Sequence, residues 1–137
     1  MRILFQCCYF LLIILWIYAG ASKLLNYQQT KAEMMLQIFE PSFASILAWL
    51  IPLLELLTGL LIALPVTMRY GLFLSGMLLF IFSIYILGGV AGWYESRPCS
   101  CGGIIMQMTW AWHLVFNLFF LILNIIAINY SVKKEVR

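Results

Sequence analysis

ASILAWLIPLLELLTGLLIAL, residues 44–64, carries a single charged group, Glu55, in a run otherwise made almost wholly of hydrocarbon. As a helix rising 1.5 Å per residue, the run covers about 30 Å, the thickness of a bilayer's apolar core. Three more stretches read the same way: Ile3–Ala19, Tyr70–Val90 and Trp110–Tyr130. Together they take up most of the 137 residues, of which 65% are hydrophobic and 9% charged. The mean hydropathy is +1.03, and a soluble domain carries roughly a quarter charged residues. The expected fold is therefore all-α, a four-helix transmembrane bundle forming one integral-membrane domain over residues 1–137. It leaves no room for a soluble catalytic domain, and the lipid bilayer is its first partner.

A signal-peptide reading of the first span competes, because Arg2 precedes the apolar run and Ala19-Gly20-Ala21 follows it. The run of about 16 residues is long for such a peptide, so a retained span is expected. Between spans one and two lies SKLLNYQQTKAEMMLQIFEPSF, residues 22–43. This is too long for a bare connector in a small bundle. Its mixture of Leu, Met, Ile and Phe with polar residues suggests a short extracytoplasmic helix lying at the interface, ended by Pro41. Span three carries Gly71, Ser75, Gly76 and Ser83, small residues that permit close helix contact. Trp93, Tyr94, Trp110 and Trp112 read as an aromatic belt.

Lys and Arg set the expected orientation. Arg2, Arg69, Lys133, Lys134 and Arg137 fall on one side against Glu135 alone. Lys23, Lys31 and Arg97 face Glu33, Glu40 and Glu95 on the other. Both termini are then cytoplasmic, and the loop RPCSCGG, residues 97–103, faces an oxidising space. This asymmetry explains the net charge of +3 without nucleic acid. Cys7 and Cys8 lie near the cytoplasmic end of span one, roughly 20 Å of helix from its outer end. A bridge from them to Cys99 or Cys101 is geometrically excluded, and they read as small apolar packing residues.

Polar groups in hydrocarbon each need an account. Glu55 follows Pro52, which frees a backbone carbonyl and favours a kink. A neutral acid hydrogen-bonded across the bundle and a proton-handling group are both open readings. His113, Asn117 and Asn124 are spaced by four and eleven residues, which puts them on a stripe about 40° wide at 100° per residue. That face should look inward. With Cys99 and Cys101 above it, and Glu55 about 16 Å down its own helix, a descending polar ladder is expected.

The Cys-x-Cys pair is the sharpest signal. Two cysteines one residue apart close only a small, strained ring, and strain makes a disulfide a better oxidant. Such a ring closes almost no chain entropy, so stability is a poor reason for it. Arg97 and His113 favour the reactive thiolate. A soft-metal site with Met106 or Met108 is the alternative for the same atoms. Zinc has too few ligands here, and no metal is expected.

These residues resemble a particular family. YAGASKLL (residues 18–25), PLLELLTGLLIALP (52–65), RPCSCGG and TWAWHLVFNLFF (109–120) are similar to the DoxX/MauE family of small four-span membrane proteins associated with redox processes. The resemblance covers nearly the whole chain. Its matching positions are Lys23, Glu55, Cys99, Cys101, His113 and Asn117. MauE-like members are implicated in maturing methylamine dehydrogenase, whose small subunit is rich in disulfides. The resemblance thus implies electron or thiol–disulfide transfer at the outer face of a bacterial inner (plasma) membrane, toward an extracytoplasmic or membrane protein partner.

On this reading the chain is a thiol–disulfide oxidoreductase with Cys99 and Cys101 as the redox dithiol. His113 and Glu55 handle protons. Lys23 and Asn117 help to hold a cofactor, a membrane quinone being the candidate. The architecture is similar to four-helix disulfide-generating enzymes, but those generally use two cysteine pairs and only one faces outward here. Two other readings remain: a carrier of thiophilic metal ions using Cys7 and Cys8, loosely like the mercuric-ion transporters, and a non-catalytic subunit organising a larger complex.

Overall fold

The computed structural model describes residues 2–95 and 109–135, and its regular elements there are all helices. In chain order they are α1 (Arg2–Leu25), α2 (Tyr27–Met35), α3 (Pro41–Ala63), α4 (Met68–Val90) and α5 (Trp110–Glu135). All but α2 are long and apolar enough to cross a membrane. The chain is a multi-pass membrane protein with lipid-facing helices.

The four long helices alternate in direction. Phe5 stacks on Tyr130 with ring centroids 4.6 Å apart, and the Tyr9 hydroxyl donates to the Ala63 carbonyl at 3.1 Å. The beginnings of α1 and α4 therefore share one end with the close of α3 and α5. At the opposite end Tyr94, just past α4, meets Trp110 at the start of α5, with centroids 6.1 Å apart. We call this the His113 end.

Close backbone approach holds the bundle. A Cβ on Gly20 would stand 2.8 Å from the Pro52 carbonyl oxygen, and one on Gly71 would stand 2.5 Å from the Ile62 nitrogen. Only glycine admits α1 to α3, and α3 to α4, at those points. Cys8, Leu12, Trp16, Ile62, Leu72 and Leu79 fill the centre. The indole N–H of Trp16 donates to Ser75 Oγ at 2.8 Å, so one of the small residues of α4 is also a polar anchor.

Several expectations are corrected. Helix α1 runs to Leu25, six residues past Ala19, so Lys23 lies on a helix and not in a loop. Its end is capped by neighbours: Asn26 donates backbone and side-chain N–H groups to the Ser22 carbonyl at 3.1 and 3.0 Å. Thr30 Oγ1 donates to the Lys23 carbonyl at 3.1 Å. These bonds satisfy carbonyls that a helix terminus leaves without partners. Helix α2 exists but does more than lie at an interface. Thr30 and Met34 are buried, Met34 clusters with Ala44 and Ala48, and Tyr27 packs on Trp49 at 4.5 Å between centroids.

Pro41 does not end α2 but opens α3. A missing N–H costs nothing at a first helical position. Helix α3 continues through Pro52. The aromatic belt divides, with Trp93 and Trp112 exposed while Tyr94 and Trp110 turn inward onto Tyr85. Of the two vicinal cysteines, Cys8 packs in the core and Cys7 is exposed. Packing therefore accounts for only one of them.

Candidate functional site

Lys23 and Glu55 form a buried ion pair, with Nζ 2.5 Å from Oε1 and both side chains 2% exposed. Helix geometry explains how they meet. Side chains lean toward the N-terminus of their own helix, so Lys23 leans down α1 while Glu55, on the antiparallel α3, leans up. Gly20 abuts Pro52 and Leu56 one turn below Lys23, which brings the two helices close enough for the pair to close. Two ions taken out of water lose several kcal/mol of hydration each, roughly offset only when they are well paired.

Above this pair is a cavity of about 320 Å³ to which all five helices or their ends contribute. Its polar members are Lys23, Gln37, Tyr85 and His113. The rest is apolar, including Met34 and Phe39 from the α2 side, Leu50 and Leu54 from α3, Leu78 and Phe82 from α4, and Trp110 from α5. Phe43, Leu50 and Ile81 line the cavity and are also exposed on the outer surface. It therefore opens sideways between α3 and α4, where lipid runs along the bundle. Its size and predominantly apolar wall match those of small-molecule sites.

The polar groups are held in place. The Tyr85 hydroxyl donates to Gln37 Oε1 at 2.5 Å, and Gln37 Nε2 donates to the Glu33 carbonyl at 3.2 Å. The Tyr94 hydroxyl donates to the Tyr85 carbonyl. Burial pushes the Tyr94 phenol above its ordinary range, so it remains a donor throughout the physiological range.

The stripe on α5 faces inward: His113, Asn117 and Asn124 are all buried. Asn124 Nδ2 donates to the Leu72 carbonyl at 3.0 Å. Among the described residues, His113 Nε2, Asn117 Nδ2 and Asn124 Oδ1 have no hydrogen-bond partner. A buried polar atom left bare costs about 1–3 kcal/mol, so His113 presents an unused hydrogen-bonding atom on a residue that lines the cavity.

Of the expected site residues, the structure joins Lys23 to Glu55 and brings Lys23 and His113 to one cavity. Asn117 lies one turn further along α5 and is not among the lining residues. Cys99 and Cys101, with Arg97, Met106 and Met108, lie outside the described residues. Among those described, no three His, Cys, Asp or Glu side chains are grouped to hold a metal ion. Sequence reasoning missed Gln37 and Tyr85. The available signal was the Tyr85 hydroxyl itself, a polar atom in an apolar run that needs a partner.

No curated protein and no solved structure matches the chain. The model of one family, described as methylamine utilisation protein MauE, matches residues 1–130. That span takes in α1 to α4 and α5 as far as Tyr130, with the Lys23–Glu55 pair and the polar stripe of α5. The chain belongs to the MauE family.

Proposed function

We propose that this protein is a membrane thiol–disulfide oxidoreductase that couples a Cys99–Cys101 dithiol to a lipid-soluble quinone in the cavity and passes the disulfide to a partner of the methylamine-utilisation system. The observation that carries the reading is the cavity itself: apolar walls open to lipid, with Lys23 and His113 among the residues that line it, and a His113 Nε2 that has no hydrogen-bond partner among the described residues. A quinone has the matching chemistry, with a flat apolar ring, a hydrocarbon tail and carbonyl oxygens that accept hydrogen bonds.

In sequence the cysteines fall between two residues that pack beside this site. The segment bearing them leaves after Glu95 and returns at Thr109, next to Tyr94 and Trp110, which pack on each other and on Tyr85 at the cavity. Cys99 is four residues beyond Glu95, a reach of at most about 14 Å for an extended chain. One cysteine pair then suffices where related chemistry uses two, because the dithiol meets the quinone without a relay.

The step balances. Cys99 and Cys101 form one S–S bond and release two electrons and two protons, and a quinone takes up both pairs to become a quinol. His113 donates a hydrogen bond to a ring carbonyl oxygen and delivers a proton there, while Lys23, held by Glu55, supplies positive charge as electron density arrives. The new disulfide leaves by exchange with the partner's thiols. The proposed setting is a bacterial inner membrane, with both termini cytoplasmic and the cysteines outside, in keeping with the five basic residues against one acid at the N-terminal end.

Binding of a short-tailed quinone to the protein in lipid nanodiscs, followed calorimetrically, tests the site. His113→Leu should weaken it about tenfold or more, the loss of one hydrogen bond in a dry site. Cys7→Ala, on the outer face of α1, should leave it unchanged. Equal affinity in wild type and His113→Leu would remove His113 from the site.

A further inference from the structure

At the N-terminal end, about 22 Å along α5 from His113 by helix rise, the first turns of α4 and the last turns of α5 enclose a second cavity, of about 540 Å³. Its lining is ordered by depth. Arg69, Tyr70 and Ser131 bring a guanidinium and two hydroxyls near the helix ends, while Leu72, Phe73 and Ile128 form an apolar wall about a turn further in. Leu72 is buried, whereas Arg69 and Phe73 are exposed. The site is a lipid-facing groove with a polar mouth.

We infer that this groove binds an anionic phospholipid, its phosphate at Arg69 and Ser131 and one acyl chain along Phe73 and Ile128. Charge complementarity selects the head group. Guanidinium pairs with phosphate through parallel N–H bonds, and a hydroxyl adds another donor. The N-terminus of α4, opening at Met68, contributes the positive end of a 23-residue helix on the same side. Lys133, exposed two residues beyond Ser131, adds a second basic group to Arg69 at this end, a field that draws anionic lipid to it. The wall selects the source of the phosphate. A free phosphate has no use for Phe73 and Ile128, whereas an acyl chain covers both. This site is separate from the quinone cavity, and neither proposal depends on the other.

The test is native mass spectrometry of the full chain released from micelles, titrated with phosphatidylglycerol or with phosphatidylcholine of the same acyl chains. Phosphatidylglycerol should be retained about fivefold better, the preference one basic residue gives near a membrane surface. Arg69→Gln should abolish the preference, while Lys133→Gln, an exposed lysine outside the lining, should keep most of it. An unchanged thermal midpoint for Arg69→Gln shows that the exposed substitution leaves the fold intact. Equal retention of the two lipids would overturn the inference, as would a preference that survives Arg69→Gln or falls equally with Lys133→Gln. Displacement of the lipid by millimolar inorganic phosphate would assign the site to the free anion and overturn it too.

Discussion

Lys23→Met should destabilise the protein by about 3–5 kcal/mol, because it leaves Glu55 buried without its cation. Both side chains are 2% exposed, so neither can turn to water without opening the α1–α3 contact. Glu55→Leu should cost a similar amount from the other side by stranding the lysine. The double variant Lys23→Met/Glu55→Leu should regain most of the loss, since two apolar side chains of similar size replace a buried ion pair at little or no net cost. Reversible unfolding in mixed micelles reads all four corners of the cycle. A single variant within about 1 kcal/mol of wild type would mean that the pair is hydrated and weak. The cycle also separates stability from function: the double variant should fold yet bind quinone poorly, because Lys23 lines the cavity.

The second large effect is covalent. Cys99→Ser or Cys101→Ser, but not both, should trap a mixed disulfide with the protein partner, seen as an adduct on a non-reducing gel. One thiol attacks and the other resolves, so loss of the resolving thiol leaves the intermediate standing. The double variant should lose adduct and activity together. Cys7→Ala/Cys8→Ala should keep both, with at most a small cavity penalty at the packed Cys8. Activity in the Cys99→Ser/Cys101→Ser protein would leave the chain as an organiser of a larger complex. Dependence on Cys7 and Cys8 instead would favour metal transport.

The spans were legible because membrane crossing imposes a length and a composition that no other use of such residues requires. Each expected span lies within an observed helix, except that Leu64 falls one residue past α3. The inward face of α5 was legible as well, since three polar residues on one stripe leave only one direction compatible with hydrocarbon. Lys23 was not. Near the end of an apolar run it counts as an interfacial charge, and its burial depends on Glu55, 32 residues away on another helix. Periodicity carries no information about such pairs.

Helix α2 was legible as a short element between spans one and two, but its burial was not: YQQTKAEMM has no marked apolar face, and its two buried residues are Thr30, bonded to the Lys23 carbonyl of α1, and Met34, packed on Ala44 and Ala48 of α3. The cavity was the least legible feature, because it is the space between five elements. Its polar members come from four places in the chain, Lys23, Gln37, Tyr85 and His113, and only Lys23 and His113 were singled out from the sequence.

The proposed coupling is tested most directly by a thiol count. The protein, fully reduced and held without oxygen in nanodiscs, is mixed with a lipid-soluble quinone, alkylated and weighed intact. The expected result is loss of two alkylatable thiols per chain, mapped to Cys99 and Cys101, with one quinol formed, and a slower loss in His113→Leu. Cys99 and Cys101 remaining fully alkylatable while quinone is bound would contradict the coupling between dithiol and cavity.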